Sequence, residues 1–460
     1  MALALVGIPA EITNLLQDRT LERVFHDALY PRLLFRAEAR PEVWMANLGE
    51  QQIFTRTGLM PVRTAAIVPG QDPVPQTYAT EQWEAFASQH TDTIDTNMPS
   101  SYVTLASTFM RNTQQLGLNA GQTLNRLARN PLYAAYLGGE AMVDVATGGA
   151  SLTLHVNTLN GFTQQLQLGR LSPVSAANPL AVTFSTAEPD NTVVAAVPDD
   201  PAIPLGGGTL TFGVATGGAT AQRVGIFTAT ASLRLRAGGG ATVDALTAVD
   251  ILTLNDVIAA VARLRGQNVP PHPDGKYHVH MNSQAEAEIF QDNHWQRLHQ
   301  SLPDGTAYQD LSIGHLVGCY FYRNEENPLG DNVENVVAVA GGAGGATLGV
   351  EIGGELTNAA GVPIIRTIVT GGGALYEKYI DESKYISEAG VTGKIGQFSI
   401  VNGGVAVMTK RIRFILRSPL DRLQQNVSQT WSWSGDFPVP SDQTSGDAAR
   451  FKRAVIVESA

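Results

Sequence analysis

The sequence feature that most constrains the fold is a long stretch almost free of charge in the middle of the chain. Between Ala146 and Val243 alternating runs such as "SLTLHV", "LAVTFS", "GTLTFGVA" and "IFTATASLRLR" are separated by turn residues, a pattern that predicts an all-β unit. The glycine-rich exit "RAGGGATVD" indicates the boundary of an insertion. The only charged side chains in this stretch are Arg170, Glu188, Asp190, Asp199, Asp200, Arg223, Arg234 and Arg236.

Helical periodicity is present on both sides of this unit. Residues Ser100 to Ala141 predict one long helix, with Gly117 and Pro131 as the points where it could be interrupted. Later in the chain, Thr253 and Asp256 are spaced as a capping pair, and a glycine marks the helix stop. The apolar stripe of this second helix is Leu254, Val257, Ile258, Val261 and Leu264. Helices together with a separate β unit predict the α+β class.

The segment from Gln51 to Pro99 has an extended character and few apolar residues that could form a core. It consists of extended runs, "QIFTRTGLMPV" and "QTYATEQWEAF", around the connection "VPGQDPVPQ", and it has few apolar residues of its own. Strands with exposed edges are normally covered, and the chain offers no obvious internal partner. We therefore expect this segment and the N-terminal arm to pack on neighbouring copies. The predicted subunit contacts are Phe35, Arg36, Trp44, Phe54, Arg56, Arg63 and Trp83.

The stretch "NVPPHPDGKYHVH" raises the question of a metal site. His278 and His280 are two residues apart, so on a strand both rings point to the same side. A 2-His-1-carboxylate site would also need a carboxylate such as Glu286 or Asp292. The alternative, which we favour, is a half-buried strand, with Tyr277, Val279 and Met281 inside and Lys276, His278 and His280 facing solvent or a neighbouring subunit.

Short local patterns predict further elements of the second half. Ser283 and Glu286 are spaced as a second capping box, and Asp274-Gly275 as the turn into the histidine strand. The run "MTKRIRFILRSP" predicts a strand, and "LDRLQQNVS" a short helix. Trp431 and Trp433 are either a stacking platform for bases or sugars or, as we favour, a same-face pair filling a core beside Phe437.

Composition and motifs exclude several function classes. A formal net charge of −11 argues against wrapping a phosphate backbone. The apolar setting of Cys319, the single cysteine, predicts a buried strand and disfavours a thiolate. The glycine runs "GGAGGATLG" and "TGGGAL" lack the residues of a phosphate loop, and no G-x-S-x-G or H-E-x-x-H motif is present. We expect no catalytic, cofactor or metal site, no membrane span and no secretory signal.

Three stretches together resemble one known family. They are "LTLNDVIAAVARLRGQNVPPHPDGKYHVHMNSQAEAEIFQDNHW", "RTIVTGGGALYE" and "RFILRSPLDRLQQNVSQTWSWSGDFPVPSD". The order of parts around them is similar to that of tailed-phage major capsid proteins with the Hong Kong 97-type fold, especially the podovirus-type coat subfamily. The resemblance covers nearly the whole chain apart from the β-rich insertion, which is similar to the β-barrel that some members carry.

This resemblance implies a division of the chain into six parts. They are an N-terminal arm (1–50), an extended two-stranded loop (51–99), a spine helix region of the peripheral domain (100–143), a β-rich insertion (144–243), an axial domain (244–380), and peripheral strands with the C-terminus (381–460). Some relatives weld their shells with a lysine–asparagine bond made from the extended loop. Residues 51–99 contain no lysine, so a crosslink donated from that loop is excluded and noncovalent locking is expected.

The same resemblance implies function and partners. The chain would assemble with itself, as hexamers and pentamers, into an icosahedral virion head formed in the host cytoplasm. The shell would enclose double-stranded DNA without sequence-specific binding. A separate scaffolding protein and a portal are expected, and a decoration protein is a further candidate partner. Two other hypotheses stay open from the sequence: a metal-dependent enzyme using His278 and His280, and a β-rich adhesin or tail component that binds glycans through 146–243.

Overall fold

The structure is a computed structural model of the 460-residue chain. It describes residues 16–29, 33–45, 49–57, 60, 62–66, 70–78, 80–103, 108–167, 170–201, 206–228, 234–300, 315–324, 337–339, 348–351, 354–355, 358, 360–382, 393–395, 397–401, 404–417, 423, 425–439 and 452–460. These residues form helices and sheets in separate regions, which confirms the predicted α+β class.

The described α-helices, in chain order, are α1 (Thr20–Leu29), α2 (Leu34–Glu38), α3 (Met98–Val103), α4 (Thr108–Leu137), α5 (Leu254–Gly266), α6 (Ser283–Gln291) and α7 (Asn293–Gln300). Two 3₁₀ turns cover Ala237–Gly239 and Val243–Ala245.

The described strands begin with β1 (Arg40–Val43), β2 (Gln51–Thr57), β3 (Thr80–Phe86), β4 (Ser88–Asn97), β5 (Glu140–Met142), β6 (Thr153–Val156), β7 (Gln164–Gln167), β8 (Arg170–Pro173) and β9 (Leu180–Phe184). They continue with β10 (Asn191–Pro198), β11 (Gly208–Phe212), β12 (Gly225–Thr228), β13 (Arg234–Arg236), β14 (Tyr277–Met281), β15 (His315–Leu316), β16 (Cys319–Arg323), β17 (Val337–Val339) and β18 (Leu348–Glu351). The last are β19 (Gly354–Glu355), β20 (Ile365–Thr370), β21 (Tyr376–Tyr379), β22 (Gly393–Ile395), β23 (Phe398–Val401), β24 (Gly404–Thr409), β25 (Ile412–Arg417), β26 (Asn426–Asp436) and β27 (Ala454–Ser459).

The chain divides into two compact units. The first consists of Met1–Gln52, Glu84–Arg129 and Leu375–Pro438, and the second of Ile53–Trp83, Asn130–Ala374 and Val439–Ala460. These divisions differ from the six parts that the sequence resemblance implies, so those boundaries stay a prediction.

The first unit is built on an eight-stranded sheet with the order β1-β21-β26-β25-β24-β23-β22, in which β4 also pairs with β26. All ten residues of β4 are in antiparallel register with β26, from Ser88 opposite Gly435 to Asn97 opposite Asn426. Residues 88–97 are therefore a strand of this sheet, whereas β2 and β3 pair with each other in a separate two-stranded sheet.

The core of the first unit contains the tryptophan pair of β26. Trp431 and Trp433 are both buried, and Trp433 stacks on Phe437 with ring centroids 4.9 Å apart. The Trp431 Nε1 donates a hydrogen bond to Asn119 Oδ1 at 2.9 Å, which satisfies the indole donor inside the core. The core interpretation of this pair is confirmed.

Helix α4 is continuous across both of its expected interruption points. At Gly117 an added Cβ would lie 2.7 Å from the Phe25 carbonyl oxygen and 3.0 Å from the Ala28 Cβ. Glycine at this position therefore lets α1 approach α4 closely, instead of ending the helix. Pro131 lies inside the last turns, where buried Leu132 and Tyr133 follow it. Tertiary packing thus outweighs the helix-breaking tendency of proline.

Two local predictions for the C-terminal half are wrong. The run "MTKRIRFILRSP" is not one strand but the end of β24, a tight turn and β25; Lys410 and Arg411 form the turn with φ angles of 50° and 67°. Residues 426–428 of the predicted helix "LDRLQQNVS" belong to β26, whereas residues 418–422 and 424 are outside the described residues.

The inserted segment forms a closed barrel in the second unit. Six strands pair in the order β5-β12-β9-β10-β11-β6, and a bridge between Val143 and Val156 joins the ends of β5 and β6. The strands bury one apolar face, and the barrel core is Ala141, Val143, Leu154, Val156, Leu159, Phe162, Leu180, Val182, Val193, Leu210, Phe212, Val224 and Ile226. The barrel begins at Glu140, four residues before the predicted boundary.

A second sheet of this unit has the order β13-β27-β20-β14-β16-β15. Helix α5 packs Leu254, Val257, Val261 and Leu264 into its core, while Ile258 of the predicted stripe is 40% exposed. The capping box of Thr253 and Asp256 is confirmed. The second capping box is wrong by one residue, because Asn282 is the N-cap of α6 and its Oδ1 accepts from the Ala285 N–H at 2.8 Å.

A buried cluster of charges joins the base of the barrel to this sheet, and its members are Glu140, Arg234, Arg236, Arg366 and Glu458. Arg236 Nη2 lies 2.5 Å from Glu140 Oε2, and Arg236 Nε lies 2.9 Å from Glu458 Oε2. Arg234 Nη1 lies 3.2 Å from Glu140 Oε2, and Arg366 Nε lies 3.3 Å from Glu458 Oε1. The cluster thus connects both ends of the insertion to β20 and β27.

None of the described helices is long and apolar enough to cross a lipid bilayer.

Candidate functional site

Several large apolar side chains are exposed on a two-stranded ribbon, defined as residues Gln51 to Phe86. It consists of β2, β3 and the connection 58–79. At its base the Ala87 N–H donates to the Glu50 carbonyl at 2.9 Å, and the Phe86 N–H donates to Asp436 Oδ2 at 2.9 Å. Burial raises the pKa of Asp436, and the hydrogen bonds from Phe86 and Phe437 oppose that rise. The base is therefore fixed by specific backbone contacts.

One face of the ribbon carries a stack of three side chains. The rings of Phe54 and Trp83 are parallel within 9°, with centroids 5.5 Å apart. The Arg56 guanidinium lies over the Trp83 ring at 5.5 Å, a cation–π contact. The Gln82 amide also donates to Thr55 Oγ1 at 3.2 Å. These contacts link β2 to β3 through their side chains.

The other face and the connection expose large apolar side chains. Apart from half-buried Gln76, every described residue of the connection, namely 60, 62–66 and 70–78, is exposed. The exposed apolar residues are Ile53, Met60, Val62, Val74, Tyr78 and Phe86, each more than half accessible and Val62 89% accessible. Exposed large apolar side chains concentrated in one segment make the ribbon a candidate interaction surface.

The three arm residues of the predicted interface lie in the first unit. Phe35 is fully buried, and its N–H donates to Asn125 Oδ1 at 2.7 Å. Trp44 is also buried, and its Nε1 donates to the Gly49 carbonyl at 3.3 Å. These two aromatic residues therefore anchor the arm within the subunit.

Arg36 belongs to a buried ion cluster. Its Nε donates to Glu377 Oε1 at 2.9 Å, and its Nη2 donates to the Lys410 carbonyl at 2.9 Å. Arg411 also pairs with Glu377. Burial lowers the pKa of Arg36, and the charge of Glu377 opposes that effect. The arm is thereby fastened to β21 and to the β24–β25 turn.

Among the ribbon residues of the predicted interface, Trp83 is buried, Phe54 and Arg56 are half-buried, and Arg63 is exposed in the connection. The interface assignment of all seven residues stays a prediction. Sequence reasoning missed the exposed apolar residues, above all Ile53 and Phe86. In "QQIFTRT" the neighbours Ile53 and Phe54 must face opposite sides of a strand, and this alternation was the available signal.

The histidine strand has a different environment from the one expected. Tyr277, Val279 and Met281 are buried as predicted, but His280 is buried as well, so the expectation that it faces solvent or a neighbour is wrong. The His278 Nε2 lies 2.8 Å from Asp274 Oδ2, and the His278 ring stacks on His272 at 4.0 Å. The pairing of β14 between β16 and β20 places the strand inside a sheet.

The carboxylates proposed to complete a metal site with His278 and His280 have other partners. Asp292 Oδ2 accepts from the Leu254 N–H at 2.9 Å, and its Oδ1 accepts from the His294 N–H at 2.9 Å. Glu286 Oε2 lies 3.4 Å from Arg323 Nε. Asp292 therefore satisfies helix-terminal donors, and these contacts give the 2-His-1-carboxylate hypothesis no support.

Cys319 is fully buried at the start of β16. Burial raises the pKa of its thiol to about 11, and Arg265 opposes this effect only in part. The predicted buried setting is confirmed. "HLVGCYFY" is two strands joined by a turn at Val317 and Gly318, which have φ angles of 54° and 78°.

No protein-family model and no curated protein matches the sequence. The fold is similar to solved phage capsid structures over most of the chain. The cyanophage Pam1 capsid is 12% identical, with 95% of this chain and 92% of that chain covered and a TM-score of 0.47. The cyanophage P-SCSP1u capsid is 9% identical, with 93% and 88% covered and a TM-score of 0.46. The Ralstonia phage GP4 capsid is 12% identical, with 92% and 86% covered and a TM-score of 0.44.

Proposed function

We propose that this protein is the major capsid protein of a tailed phage and assembles with itself into the icosahedral head of the virion. The observation that carries the proposal is the ribbon, which presents six large apolar side chains to solvent from one chain segment. Monomeric proteins rarely expose such a surface unless it binds a partner. A repeating shell supplies that partner from its own copies, because a heterologous contact that closes by symmetry covers every ribbon.

The free energy available from covering the exposed ribbon residues favours assembly of many copies over a simple dimer. Each of the six side chains is about half exposed or more, so covering them would stabilise by roughly 5–9 kcal/mol per ribbon. Association itself costs about 4–15 kcal/mol. One ribbon contact is therefore of the same order as the cost of docking, and stable association requires several contacts per subunit. Cooperative formation of a shell satisfies this requirement.

The proposed locking between subunits is noncovalent. Residues 51–99 contain no lysine, so a lysine–asparagine bond cannot be donated from this segment. The seven predicted interface residues, Phe35, Arg36, Trp44, Phe54, Arg56, Arg63 and Trp83, remain part of the proposal. We add the exposed set Ile53, Met60, Val62, Val74, Tyr78 and Phe86. In this arrangement the exposed set contacts the neighbour directly, and Phe54, Arg56 and Trp83 contribute to the interface from the stacked face.

Further partners follow from the same proposal. Hexamers and pentamers of the chain would form the shell in the host cytoplasm, with a separate scaffolding protein and a portal. A decoration protein is a further candidate. The shell would enclose double-stranded DNA without reading its sequence, and the net charge of −11 suits a wall that does not adsorb the genome. The proposed role is structural, with no enzymatic step and no cofactor.

Electron microscopy of the expressed protein tests this function. Negative-stain images are recorded with and without the scaffolding partner, and uniform icosahedral particles are the expected result. A protein that stays monomeric under both conditions, at concentrations where related shells form, would contradict the proposal.

A deletion in the ribbon tests whether the ribbon is needed for assembly of the shell. Residues 58–79 are replaced by Asn-Gly, a dipeptide suited to a two-residue hairpin turn, so that β2, β3 and β4 are retained. A deletion of all of 51–99 would remove β4 from the eight-stranded sheet and is not a clean test. The shortened subunit should keep its circular dichroism spectrum and its melting temperature but sediment as unassembled protein.

A matched pair of double variants separates the ribbon from general surface effects. Val62→Asp with Val74→Asp places two charges on the ribbon connection, where the valines are 89% and 69% exposed. Val214→Asp with Val249→Asp places the same charges at exposed valines elsewhere. The first variant should fail to assemble and the second should form shells. Normal shells from both variants would refute the role of the ribbon.

A further inference from the structure

The barrel contains a buried carboxylate without a hydrogen-bond donor among the described residues. Asp144 follows β5 and is 1% exposed, and neither carboxylate oxygen has a hydrogen-bond partner there. His155 is half-buried, and its buried Nδ1 atom has no hydrogen bond in the same part of the structure. An ionised carboxylate in such a setting costs several kcal/mol unless a cation compensates it.

These orphaned atoms face one another. His155 Nδ1 lies 3.3 Å from Asp144 Oδ2 without the geometry of a hydrogen bond. The opposite ring nitrogen, His155 Nε2, lies 2.8 Å from Asp199 Oδ2. The imidazole is thus held between two carboxylates, one buried and one 44% exposed. Asp199 fixes the ring orientation and favours the tautomer that carries the proton on Nε2.

The surrounding charges do not supply the missing donor. Burial raises the pKa of Asp144, whereas the close contact with the His155 side chain and the charges of His155 and Arg223 lower it, and Asp199 raises it further. Arg223 makes a two-bond contact with Asp244, from Nε to Oδ2 at 2.7 Å and from Nη2 to Oδ1 at 2.6 Å. Its guanidinium is therefore directed at a different carboxylate.

The pair also lies at the weakest junction of the barrel. Strands β5 and β6 meet through one bridge, Val143 opposite Val156, extended by the hydrogen bonds from Asp144 N–H to the His155 carbonyl and from Asn157 N–H to the Met142 carbonyl. Elsewhere the barrel strands pair over three to five residues. A ligand that joins Asp144 to His155 would connect the two strand ends at this seam.

We propose that Asp144 and His155 bind a divalent transition-metal ion of the zinc class that fastens the seam of the barrel. Neutral imidazole nitrogen and carboxylate oxygen are both zinc ligands, and bonds of about 2.0–2.1 Å at tetrahedral angles separate adjacent ligand atoms by about 3.3 Å. A histidine that binds a metal typically donates its other ring N–H to a carboxylate, which is the position of Asp199. Water completes the coordination from the side where His155 is 24% exposed.

Metal titration of the unassembled full-length chain tests this site. Zn²⁺ is added to metal-free protein and followed by isothermal calorimetry and thermal melting, and Co²⁺ is used for its absorption bands. Asp144→Asn and His155→Gln should each lose one binding event and the associated rise in melting temperature. Asp199→Asn should weaken that event about 10–100-fold. His294→Gln, which alters an exposed histidine outside the barrel, should behave like the unaltered chain.

Several outcomes would overturn the proposal. One is a Zn²⁺ response that is identical in the unaltered chain, Asp144→Asn and His155→Gln. Another is a melting temperature that depends on pH in the unaltered chain, loses that dependence in both variants and does not respond to Zn²⁺. That result would mean that Asp144 and His155 share a proton and do not bind a metal. If the variants do not fold, the Co²⁺ absorption spectrum of the unaltered chain tests the site. The absence of bands typical of four-coordinate Co²⁺ with nitrogen and oxygen ligands would refute it.

Discussion

The substitution Glu458→Gln tests whether the buried charge cluster stabilises the second unit. Glu458 is completely buried, and burial alone would raise its pKa. The charges of Arg236, Arg234 and Arg366 outweigh that effect and lower the pKa of Glu458 to about 2, from an ordinary value of 4.5. A carboxyl group with a lowered pKa in the folded state stabilises that state when it is ionised.

The size of the stabilisation by Glu458 follows from its ordinary and its lowered pKa. The lowering of the pKa from 4.5 to about 2 corresponds to about 3 kcal/mol of unfolding free energy at pH 7. Removal of one partner from a buried ion cluster costs about 3–5 kcal/mol, because the remaining charges are left uncompensated. We therefore expect Glu458→Gln to destabilise by about 3 kcal/mol. The stabilisation is complete above pH 4.5 and is lost as the pH falls towards 2.

Thermal melting of unassembled subunits between pH 7 and pH 2.5 measures this effect. The unaltered chain should melt several degrees above Glu458→Gln at pH 7, and the difference should shrink below pH 4.5. Glu84→Gln changes an exposed glutamate of the ribbon and should leave the melting temperature unchanged. A loss of less than 1 kcal/mol at pH 7, or a difference at pH 2.5 as large as the one at pH 7, would refute the stabilising role.

Two further predictions concern single positions in the second unit. Gly161 has a φ of +83°, and an added Cβ would lie 2.3 Å from the Gly139 N, so Gly161→Ala should lower the melting temperature strongly. Gly218 has open space around it, so Gly218→Ala should leave the melting temperature unchanged. Equal effects of the two substitutions would contradict the close packing at Gly161. Because burial raises the pKa of Cys319 to about 11, Ellman's reagent at pH 8 should react with the thiol only after denaturation; rapid modification of the folded chain would contradict the buried position.

Sequence reasoning succeeded where the determining interactions are local. The cap of Thr253 with Asp256 spans four residues, and Asp274-Gly275 introduces β14 through a glycine with a φ of 81°. The all-β texture of the insertion was readable because barrel strands alternate inward and outward side chains. Each of these signals lies within one short window of sequence.

The sequence-based predictions were wrong or incomplete where contacts between residues far apart in the sequence determine the structure. Gly117 looks like a helix breaker until the Phe25 carbonyl is placed against it. Strand β4 has a polar sequence, and only its ladder with β26 identifies it as part of a sheet. Glu140 and Glu458 meet the same arginines although more than 300 residues separate them in the sequence. No local pattern contains that information.

The closure of the barrel at its base has a practical consequence for protein engineering. Glu140 at the entry and Arg236 at the exit are in direct contact, with 2.5 Å between their charged atoms. A module whose two connections are this close can be exchanged as a cassette, since a foreign domain with adjacent termini would fit the same junction. The junction therefore offers a defined graft point for displaying an antigen or an enzyme on this scaffold.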